Sequence, residues 1–376
     1  RIVGTKTLRS IIDSRQFLAD ANKRLGHPVE IISGDEEARL IYLGVAHNIA
    51  PGEGKRLVMD IGGGSTEVIL GEGMAPILKE SLNMGCVVIT KKFFLDGKVT
   101  DRNIERAVIA CMQEISPVND AFVNLGWNQV LGASGTIKSV AKVCTANGWS
   151  DGVIQLEHLE NIVELYRKHG TTDLKIQGLS DDRQPVFLGG VIVLIALFKS
   201  LQFQELVFTD WALREGLLFD LKGRLENHDI RQASVEALAN RFHVNMKKVK
   251  LVEETALHLL EQVADSWQLN DDEARKLLAW SARLYPVGLD IAHNDYHKHS
   301  AYIVQHVDLA GCSRIEQAQL SALVLAHRKR FPIKHFSHDH EDLIRLAILL
   351  RVAVIFHRGK KMDGLPDLTI TVNDRA

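Results

Sequence analysis

The stretch Leu57-Val-Met-Asp60-Ile-Gly62-Gly-Gly64-Ser65-Thr-Glu67-Val-Ile-Leu70 indicates the fold and chemistry of this chain more directly than any other. In it, two apolar, β-prone runs flank three glycines, an acid closes the first run, and Ser, Thr and Glu open the second. Glycines without side chains let backbone N–H groups converge on an anion, and the two hydroxyls add donors. Because a strand rather than a helix follows the glycines, the order is that of a phosphate hairpin and not of a Rossmann or P-loop turn.

The glycine triplet also has a simpler interpretation, which is a tight turn between two strands that binds nothing. The flanking acids favour phosphate binding, because the carboxylates of Asp60 and Glu67 are the oxygen ligands with which a protein could hold Mg²⁺ beside a phosphate. The remaining motifs of the chain have to decide between the two interpretations.

The composition sets the class of protein. At 376 residues the chain is long enough for two or three domains with hydrophobic cores. A hydrophobic content of 46% and a charged content of 24% are those of an ordinary soluble globular protein. The net charge of −2 gives no global basic field, so no nucleic acid partner is predicted.

Cysteine usage and hydropathy indicate the compartment. The four cysteines are scattered without a CxxC pair, which predicts neither a zinc site nor a disulfide framework and favours a reducing, cytoplasmic location. The most apolar run, Val186 to Phe198, is too short for a membrane span and predicts a buried helix. No integral membrane segment is expected, and peripheral membrane association stays open.

The periodicity of apolar residues predicts a mixed α/β region followed by an all-α region. Strand and helix patterns alternate up to about Gly223, including a helix from Thr7 to Leu25, whereas after His228 helix follows helix to about Arg358. A final β-like run from Leu368 to Val372 suggests the start of a further domain.

Two further segments carry candidate chemistry. Ser33-Gly-Asp-Glu36 reads as a capping box at a helix start, which gives Glu36 a structural duty and leaves Glu37 free as a carboxylate base with a lowered pKa. Gly132-Ala-Ser-Gly-Thr136 lies between a strand and a helix, where free N–H groups form an anion site or only a tight turn. Arg9, on the first predicted helix, is either solvated or a phosphate ligand.

In series these segments resemble the exopolyphosphatase/guanosine pentaphosphatase (Ppx/GppA) family. The resemblance rests on the following runs: Gly4-Thr-Lys-Thr-Leu-Arg9, Ile31-Ile-Ser-Gly-Asp-Glu-Glu-Ala-Arg39, Asp60-Ile-Gly-Gly-Gly-Ser-Thr-Glu67, Gly132-Ala-Ser-Gly-Thr136 and Ala212-Leu-Arg-Glu-Gly216. Their order and spacing match over nearly the whole chain. The downstream runs His297-Lys-His-Ser-Ala-Tyr302 and Ala326-His-Arg-Lys329 look more like the exopolyphosphatase branch.

The resemblance implies an actin-like (ribonuclease H-like) ATPase fold of two α/β lobes, followed by a helical domain like that of HD phosphohydrolases. The implied domains are a remnant of the first lobe at 1–32, the second lobe at 33–226, the HD-like domain at 227–362 and the start of a truncated domain at 363–376. The family begins with an Asp-Leu-Gly-Ser-Asn-Ser phosphate loop that this chain lacks, so we expect the chain to begin inside a domain and to hold half of the cleft.

The resemblance also implies roles for particular residues. Glu37 would be the general base, with Glu36 as the rival, and Asp60 and Glu67 would serve Mg²⁺; a K⁺ requirement stays open. The implied substrate-binding residues are Arg9, Gly62, Gly63, Gly64, Ser65, Thr66, Ser134, Gly135 and Thr136. A second metal site in the helical domain is not predicted, because Tyr285-Pro286 stands where HD domains place His-Asp. The nearby histidines and basic residues either bind a long anionic chain or form a solvated surface.

Three functions compete on this reading. The first is release of orthophosphate from the end of inorganic polyphosphate, by a homodimer with water activated by Glu37. The alternative is hydrolysis of guanosine 5'-triphosphate 3'-diphosphate (pppGpp) to the tetraphosphate in the same cleft. A third is a nucleotide-binding regulatory module without catalysis, since one fold serves many functions.

Overall fold

The computed structural model describes residues 1–11, 14–49, 54–226, 229–333, 336, 341–358 and 368–372. The chain divides into two compact units, Arg1–Leu225 and Glu226–Ala376. The first is α/β and the described part of the second is all-α, as the periodicity predicted. The finer boundaries predicted at 32/33 and 362/363 stay predictions.

The first unit begins with a short parallel pair of strands. In chain order the elements are β1 (Ile2–Gly4), α1 (Lys6–Arg9), α2 (Ser14–Leu25), β2 (Val29–Ile31) and α3 (Gly34–Asn48). The single helix predicted from Thr7 to Leu25 is wrong, since α1 ends at Arg9. The Ser10 hydroxyl donates to the Lys6 carbonyl at 2.8 Å, and such side-chain bonds compete with helix continuation.

A six-stranded sheet forms the centre of the first unit. Its strands are β3 (Lys55–Ile61), β4 (Thr66–Glu72), β5 (Ala75–Leu82), β6 (Gln129–Ala133), β7 (Val153–Gln155) and β8 (Glu205–Phe208), in the spatial order β5-β4-β3-β6-β8-β7. Strands β3, β4 and β5 are antiparallel neighbours, whereas β3, β6 and β8 run parallel. The three-residue strand β7 is too short to show a period in sequence and was not predicted.

Helices cover both faces of this sheet. They are α4 (Cys86–Phe93), α5 (Asp101–Leu125), α6 (Ser134–Ala146), α7 (Leu156–His169), α8 (Gln184–Leu201) and α9 (Leu213–Leu225). Alternate residues of β3 point to opposite faces: Val58 packs in one cluster with α3, and Leu57 and Met59 pack in another with α5 and α8. Burial on both faces explains why the strands read as nearly continuous apolar runs.

Helix α8 passes a length and composition test for a membrane span. Among the described residues, Gln184–Leu201 is the one helix that does so, with a mean hydropathy of 1.9 over 18 residues. Most of it is buried against the sheet and its neighbouring helices, as in the core helix of a water-soluble domain. The predicted helix was shorter, but its burial is confirmed.

Helices α3 and α9 cross at two glycines. A Cβ atom on Gly216 would lie 1.7 Å from the Leu40 carbonyl oxygen, and one on Gly44 would lie 2.1 Å from the Ala212 carbonyl oxygen. Only residues without a side chain permit this approach of the two backbones. The run Ala212 to Gly216, one of the runs that carry the family resemblance, therefore holds α3 in place.

The second unit is a helical bundle around a single apolar cluster. Its elements are α10 (Ile230–Arg241), α11 (Met246–Trp267), α12 (Asp272–Leu284), a 3₁₀ turn (Val287–Asp290), α13 (Tyr296–His306), α14 (Arg314–Ala326) and α15 (Glu341–Phe356). The strand predicted from Leu368 to Val372 is wrong. Instead Leu368 and Ile370 pack against the cluster, and their backbones bond to the side chain of Gln262.

Candidate functional site

The hairpin predicted from the glycine triplet is present, with strands β3 and β4 joined by residues 62–65. Asp60 and Glu67 are paired across the two strands, so the acids before and after the turn face each other in the ladder. The Gly62 N–H donates to the Ser65 carbonyl at 2.9 Å, which closes the turn. The carbonyls of Gly62 and Gly63 accept from the first N–H groups of α4, which fixes the turn to that helix.

The hydroxyl groups of the hairpin do not have the role expected of them. The Thr66 hydroxyl donates to the Met84 carbonyl at 2.5 Å, and the Ser65 hydroxyl bonds to Glu67. In contrast, the Gly63 and Gly64 N–H groups have no hydrogen-bond partner within the described ranges. The donors available to an anion are thus backbone amides, and the expectation of a donor from Thr66 is wrong.

The second predicted anion turn lies beside the hairpin. Ala133 pairs with Asp60 in the parallel ladder of β3 and β6, so Ser134, Gly135 and Thr136 begin α6 next to the acids. Ser134 has φ +90°, a strained conformation that often marks a functional site. Thr136 donates its hydroxyl to the Ile61 carbonyl at 3.1 Å, so this turn also offers backbone groups rather than that hydroxyl.

The adjacent acids Glu36 and Glu37 have different surroundings. Ser33 caps α3 by accepting from the Glu36 N–H at 3.0 Å, which is the predicted half of the capping box. The Glu36 carboxylate accepts two bonds from Arg39, at 2.7 and 2.8 Å, and Arg39 in turn bonds Asp220 of α9 at 2.5 Å. Glu36 is thus part of a buried ion network, a structural duty other than the capping-box bond to the Ser33 backbone that the sequence predicted.

Glu37 instead faces the hairpin acids and Arg9. Arg9 donates to the Glu37 carboxylate at 3.0 Å and to the Ile32 carbonyl at 2.8 Å. Burial raises the pKa of Glu37, against the opposing pull of the Arg9 charge and hydrogen bond. The lowered pKa expected from the helix N-terminus is therefore wrong, because desolvation of the carboxylate outweighs the helix dipole and the cation.

Three acids share one electrostatic environment. Burial, and then repulsion from Glu37, raise the pKa of Asp60 to about 7 and that of Glu67 to about 8. Ser81 opposes part of this effect by donating to Glu67 at 2.8 Å. Since Glu37 raises the pKa of both hairpin acids and Asp60 also raises that of Glu67, added positive charge would favour the charged form of all three at neutral pH.

A divalent cation fits this donor set. Within the described residues no group of three or more His, Cys, Asp or Glu side chains is arranged to hold a metal. Mg²⁺ is usually held by one or two carboxylates together with waters and substrate phosphates, which is what the facing pair Asp60 and Glu67 offers. The repulsion among these acids is the feature that such a cation would relieve.

Four residues that lie near the site were not predicted from the sequence to belong to it. Thr5 bonds the Glu37 carboxylate through its side chain, Lys6 lies against Gly64, and Ser81 supports Glu67. The Arg183 guanidinium lies over Gly135, where a Cβ would meet its Nη2 at 2.2 Å. Thr5 and Lys6 belong to a run already singled out, whereas Ser81 and Arg183 are placed by tertiary contacts that no local pattern encodes.

In the helical unit, His297 and His327 are buried whereas His293 is exposed, and the described residues include no group of three or more His, Cys, Asp or Glu side chains arranged for a metal. His327 is buried, bonds the Val324 carbonyl at 2.6 Å and the Tyr296 hydroxyl at 3.1 Å, and has a pKa lowered by burial to about 3. Asp295 forms ion pairs with Lys298 and Lys329. Lys298 and Lys329, two of the basic residues of this region, thus share the single negative charge of Asp295.

Comparison with known proteins identifies the family. A sequence profile described as "Ppx/GppA phosphatase family" matches residues 1–225, and one described as "Ppx/GppA phosphatase, domain III" matches residues 230–376. The chain belongs to the Ppx/GppA phosphatase family. Members of this family hydrolyse phosphoanhydrides, and this protein is accordingly a hydrolase of phosphoric anhydrides.

Similar family members carry a guanosine name. "Guanosine-5'-triphosphate,3'-diphosphate pyrophosphatase" of Pseudoalteromonas translucida is 37% identical over 99% of this chain and 76% of its own length. The protein of that name from Vibrio vulnificus is 36% identical over 99% of this chain and 75% of its length. Both relatives thus carry a guanosine name and not the name of the exopolyphosphatase branch that the histidine runs resembled.

Solved structures of the Ppx/GppA family share the fold. The crystal structure of the Aquifex aeolicus family member has a TM-score of 0.51 and 26% identity, and covers 60% of this chain and 74% of its own. An exopolyphosphatase structure from Cytophaga hutchinsonii has a TM-score of 0.52 and covers 58% of this chain and 73% of its own. Its identity of 22% shows the fold alone.

Proposed function

We propose that this protein hydrolyses the terminal 5'-phosphoanhydride of pppGpp, releasing orthophosphate and leaving ppGpp. The observation that carries the proposal is the placement of Glu37, bonded to Arg9, opposite the facing acids of a glycine hairpin. The naming of relatives that are 36–37% identical over nearly the whole chain supports the guanosine substrate. The actin-like lobe and the HD-like helical unit are part of the same proposal.

In the proposed reaction, Glu37 accepts a proton from a water molecule whose oxygen attacks the terminal phosphorus. The bond from this phosphorus to the bridging oxygen breaks, and the bridging oxygen leaves on ppGpp. Arg9 neutralises phosphate charge, and the Gly63 and Gly64 amides bind the phosphate oxygens. Little covalent chemistry falls to the protein in phosphoryl transfer, so positioning and charge neutralisation supply the catalysis.

The raised pKa of Glu37 suits a general base. A carboxylate with an ordinary pKa is a weak base at neutral pH, and burial moves the pKa of Glu37 toward the working range. In this proposal Asp60 and Glu67 hold Mg²⁺, which supplies charge neutralisation beside the phosphate. A K⁺ requirement and a homodimer stay proposals that come from the family resemblance, and a cytoplasmic location stays a proposal that comes from the cysteine usage.

Inorganic polyphosphate is the second candidate substrate. In this proposal the hairpin residues bind the terminal phosphate alone, and polyphosphate presents the same phosphoanhydride without a nucleoside. A nucleotide-binding module without catalysis is disfavoured, because the proposed base is present and the chain belongs to a family of hydrolases.

The test is a comparison of phosphate release from pppGpp and from long-chain polyphosphate by the full-length protein with Mg²⁺. We expect kcat/KM for pppGpp to exceed that for polyphosphate, counted per chain end. A higher kcat/KM for polyphosphate would overturn the guanosine assignment. Release of phosphate from neither substrate would overturn the proposed reaction as a whole.

A further inference from the structure

Lys6 lies directly on the phosphate hairpin, although the roles argued so far give it none. A Cβ built on Gly64 would lie 2.8 Å from Lys6 Cγ and within 3.9 Å of its Cβ and Cε. The aliphatic stem of the lysine therefore runs along the backbone of the turn. This packing depends on the missing side chain at Gly64.

The ammonium group of Lys6 is held by a neutral partner. Its Nζ donates to the Asn83 side-chain oxygen at 2.6 Å, at an exposed position. Within the described residues no carboxylate lies within ion-pair distance of Lys6, so the Asn83 bond leaves its charge uncompensated. Arg9, one turn later on α1, differs in that its guanidinium is already paired with Glu37.

The charge balance of the site calls for a second cation. Glu37, Asp60 and Glu67 converge on the hairpin, and Arg9 offsets one of these three charges. A terminal phosphate adds further negative charge to the same place. The Lys6 charge already acts on Glu37, whose pKa it lowers, so the ammonium lies within electrostatic range of the reacting centre.

We propose that Lys6 is a substrate-binding residue whose ammonium exchanges Asn83 for a phosphate oxygen of the chain held by the hairpin. The ligand class is a linear phosphoanhydride of at least two phosphates, because a chain whose terminal phosphate binds the Gly63 and Gly64 amides carries further anionic oxygens for an ammonium on the same turn. A lysine is suited to this exchange, since its ammonium has three donors on a flexible stem. The proposal rests on the proposed function for the binding of a phosphate chain at the hairpin, and not for the identity of the group that the chain carries.

The experiment measures binding of tripolyphosphate with Mg²⁺ by calorimetry, in a Glu37→Gln background that prevents turnover. We expect Lys6→Met to weaken binding about tenfold to hundredfold, the effect of losing a charged hydrogen bond. Lys6→Met is also expected to flatten the dependence of affinity on salt, because one cation no longer meets the phosphate. Lys6→Arg should recover most of the affinity.

Two matched variants separate binding from support of the fold. Asn83→Ala frees the ammonium, so tripolyphosphate should bind at least as tightly as to the parent. Lys175→Met removes the same charge at an exposed position elsewhere and should leave the affinity within twofold. The proposal would be overturned by any of three results. These are equal binding to Lys6→Met and its parent, no binding to the parent, and a loss of affinity in Asn83→Ala as large as that in Lys6→Met.

The proposed function can fail separately from this assignment. Turnover of polyphosphate in place of pppGpp would overturn the guanosine substrate and leave the tripolyphosphate result for Lys6 unchanged. A wild-type enzyme that hydrolyses pppGpp while Lys6→Met binds tripolyphosphate normally would overturn only the role of Lys6.

Discussion

Replacing each of the two adjacent acids Glu36 and Glu37 by glutamine should produce opposite phenotypes. Both changes remove one negative charge and keep the side-chain shape, and they differ by one position on α3. Glu36 lies in a buried ion network, whereas Glu37 faces the hairpin acids. The pair therefore separates a structural carboxylate from the proposed catalytic one within a single helical turn.

The Glu36→Gln variant should lose stability. It removes the charge that meets Arg39 through two hydrogen bonds, with both side chains buried. Breaking a buried pair typically costs about 3 to 5 kcal/mol, and we expect a loss in this range because Asp220, the other partner of Arg39, is shared with Arg1 and Arg224. Turnover per folded molecule should fall by less than about tenfold, because Glu36 does not meet the substrate in this arrangement.

The Glu37→Gln variant should lose activity without losing stability. Removing a general base typically costs about 10²- to 10⁴-fold in kcat. Repulsion from Glu37 raises the pKa values of Asp60 and Glu67, so removing its charge relieves an unfavourable interaction. The free energy of unfolding should therefore stay the same or rise, despite the weakened Arg9 bond.

The assay combines two measurements on each variant at about pH 7.5. These are the initial rate of phosphate release at saturating substrate and the free energy of unfolding in urea. The reasoning predicts a stable, inactive Glu37→Gln protein and a destabilised, active Glu36→Gln protein. If Glu36→Gln were the stable, inactive variant, the assignment of the base would be refuted. A Glu37→Gln protein with near wild-type kcat would refute the proposed chemistry.

Two further outcomes follow from the geometry. Gly216→Ala should lower stability by more than about 3 kcal/mol, because the added Cβ would lie 1.7 Å from the Leu40 carbonyl oxygen. Thermal unfolding measures this loss, with Leu218→Ala on the exposed face of α9 as the mild control. Equal losses in the two variants would contradict the close approach of α3 and α9. Without divalent cations, the free energy of unfolding should fall as pH rises from about 4 to 8. The unfolded chain releases the protons of these two carboxyl groups near their ordinary pKa values of 3.8 and 4.5, whereas in the folded protein Asp60 and Glu67 have pKa values of about 7 and about 8. Urea unfolding in the presence of a chelator across this pH range tests the prediction. Added Mg²⁺ should restore the most stability at about pH 8, where both acids are most charged. Stability that rises with pH in chelator would contradict the prediction.

Local patterns predicted the elements that carry the site. The hairpin, the turn at 132–136 and the start of α3 were all located from sequence, because glycines, apolar alternation and a capping serine act within a few residues. The α/β and all-α regions followed from the same periodicities. The errors fell where local signals were weak or overridden, as at the end of α1 and at residues 368–372.

The sequence by itself determined that a phosphate hairpin with flanking acids exists and that Glu36 or Glu37 stands near it. Only the tertiary structure shows which acid faces the hairpin. Glu36 bonds Arg39, which in turn bonds Asp220, 181 positions away, whereas Glu37 bonds Arg9. The tertiary structure also determines that the pKa values of the site acids are raised and that the Thr66 and Thr136 hydroxyls bond backbone carbonyls. Burial and Coulomb interactions depend on distances in space, and these are set by packing between segments that no local pattern relates.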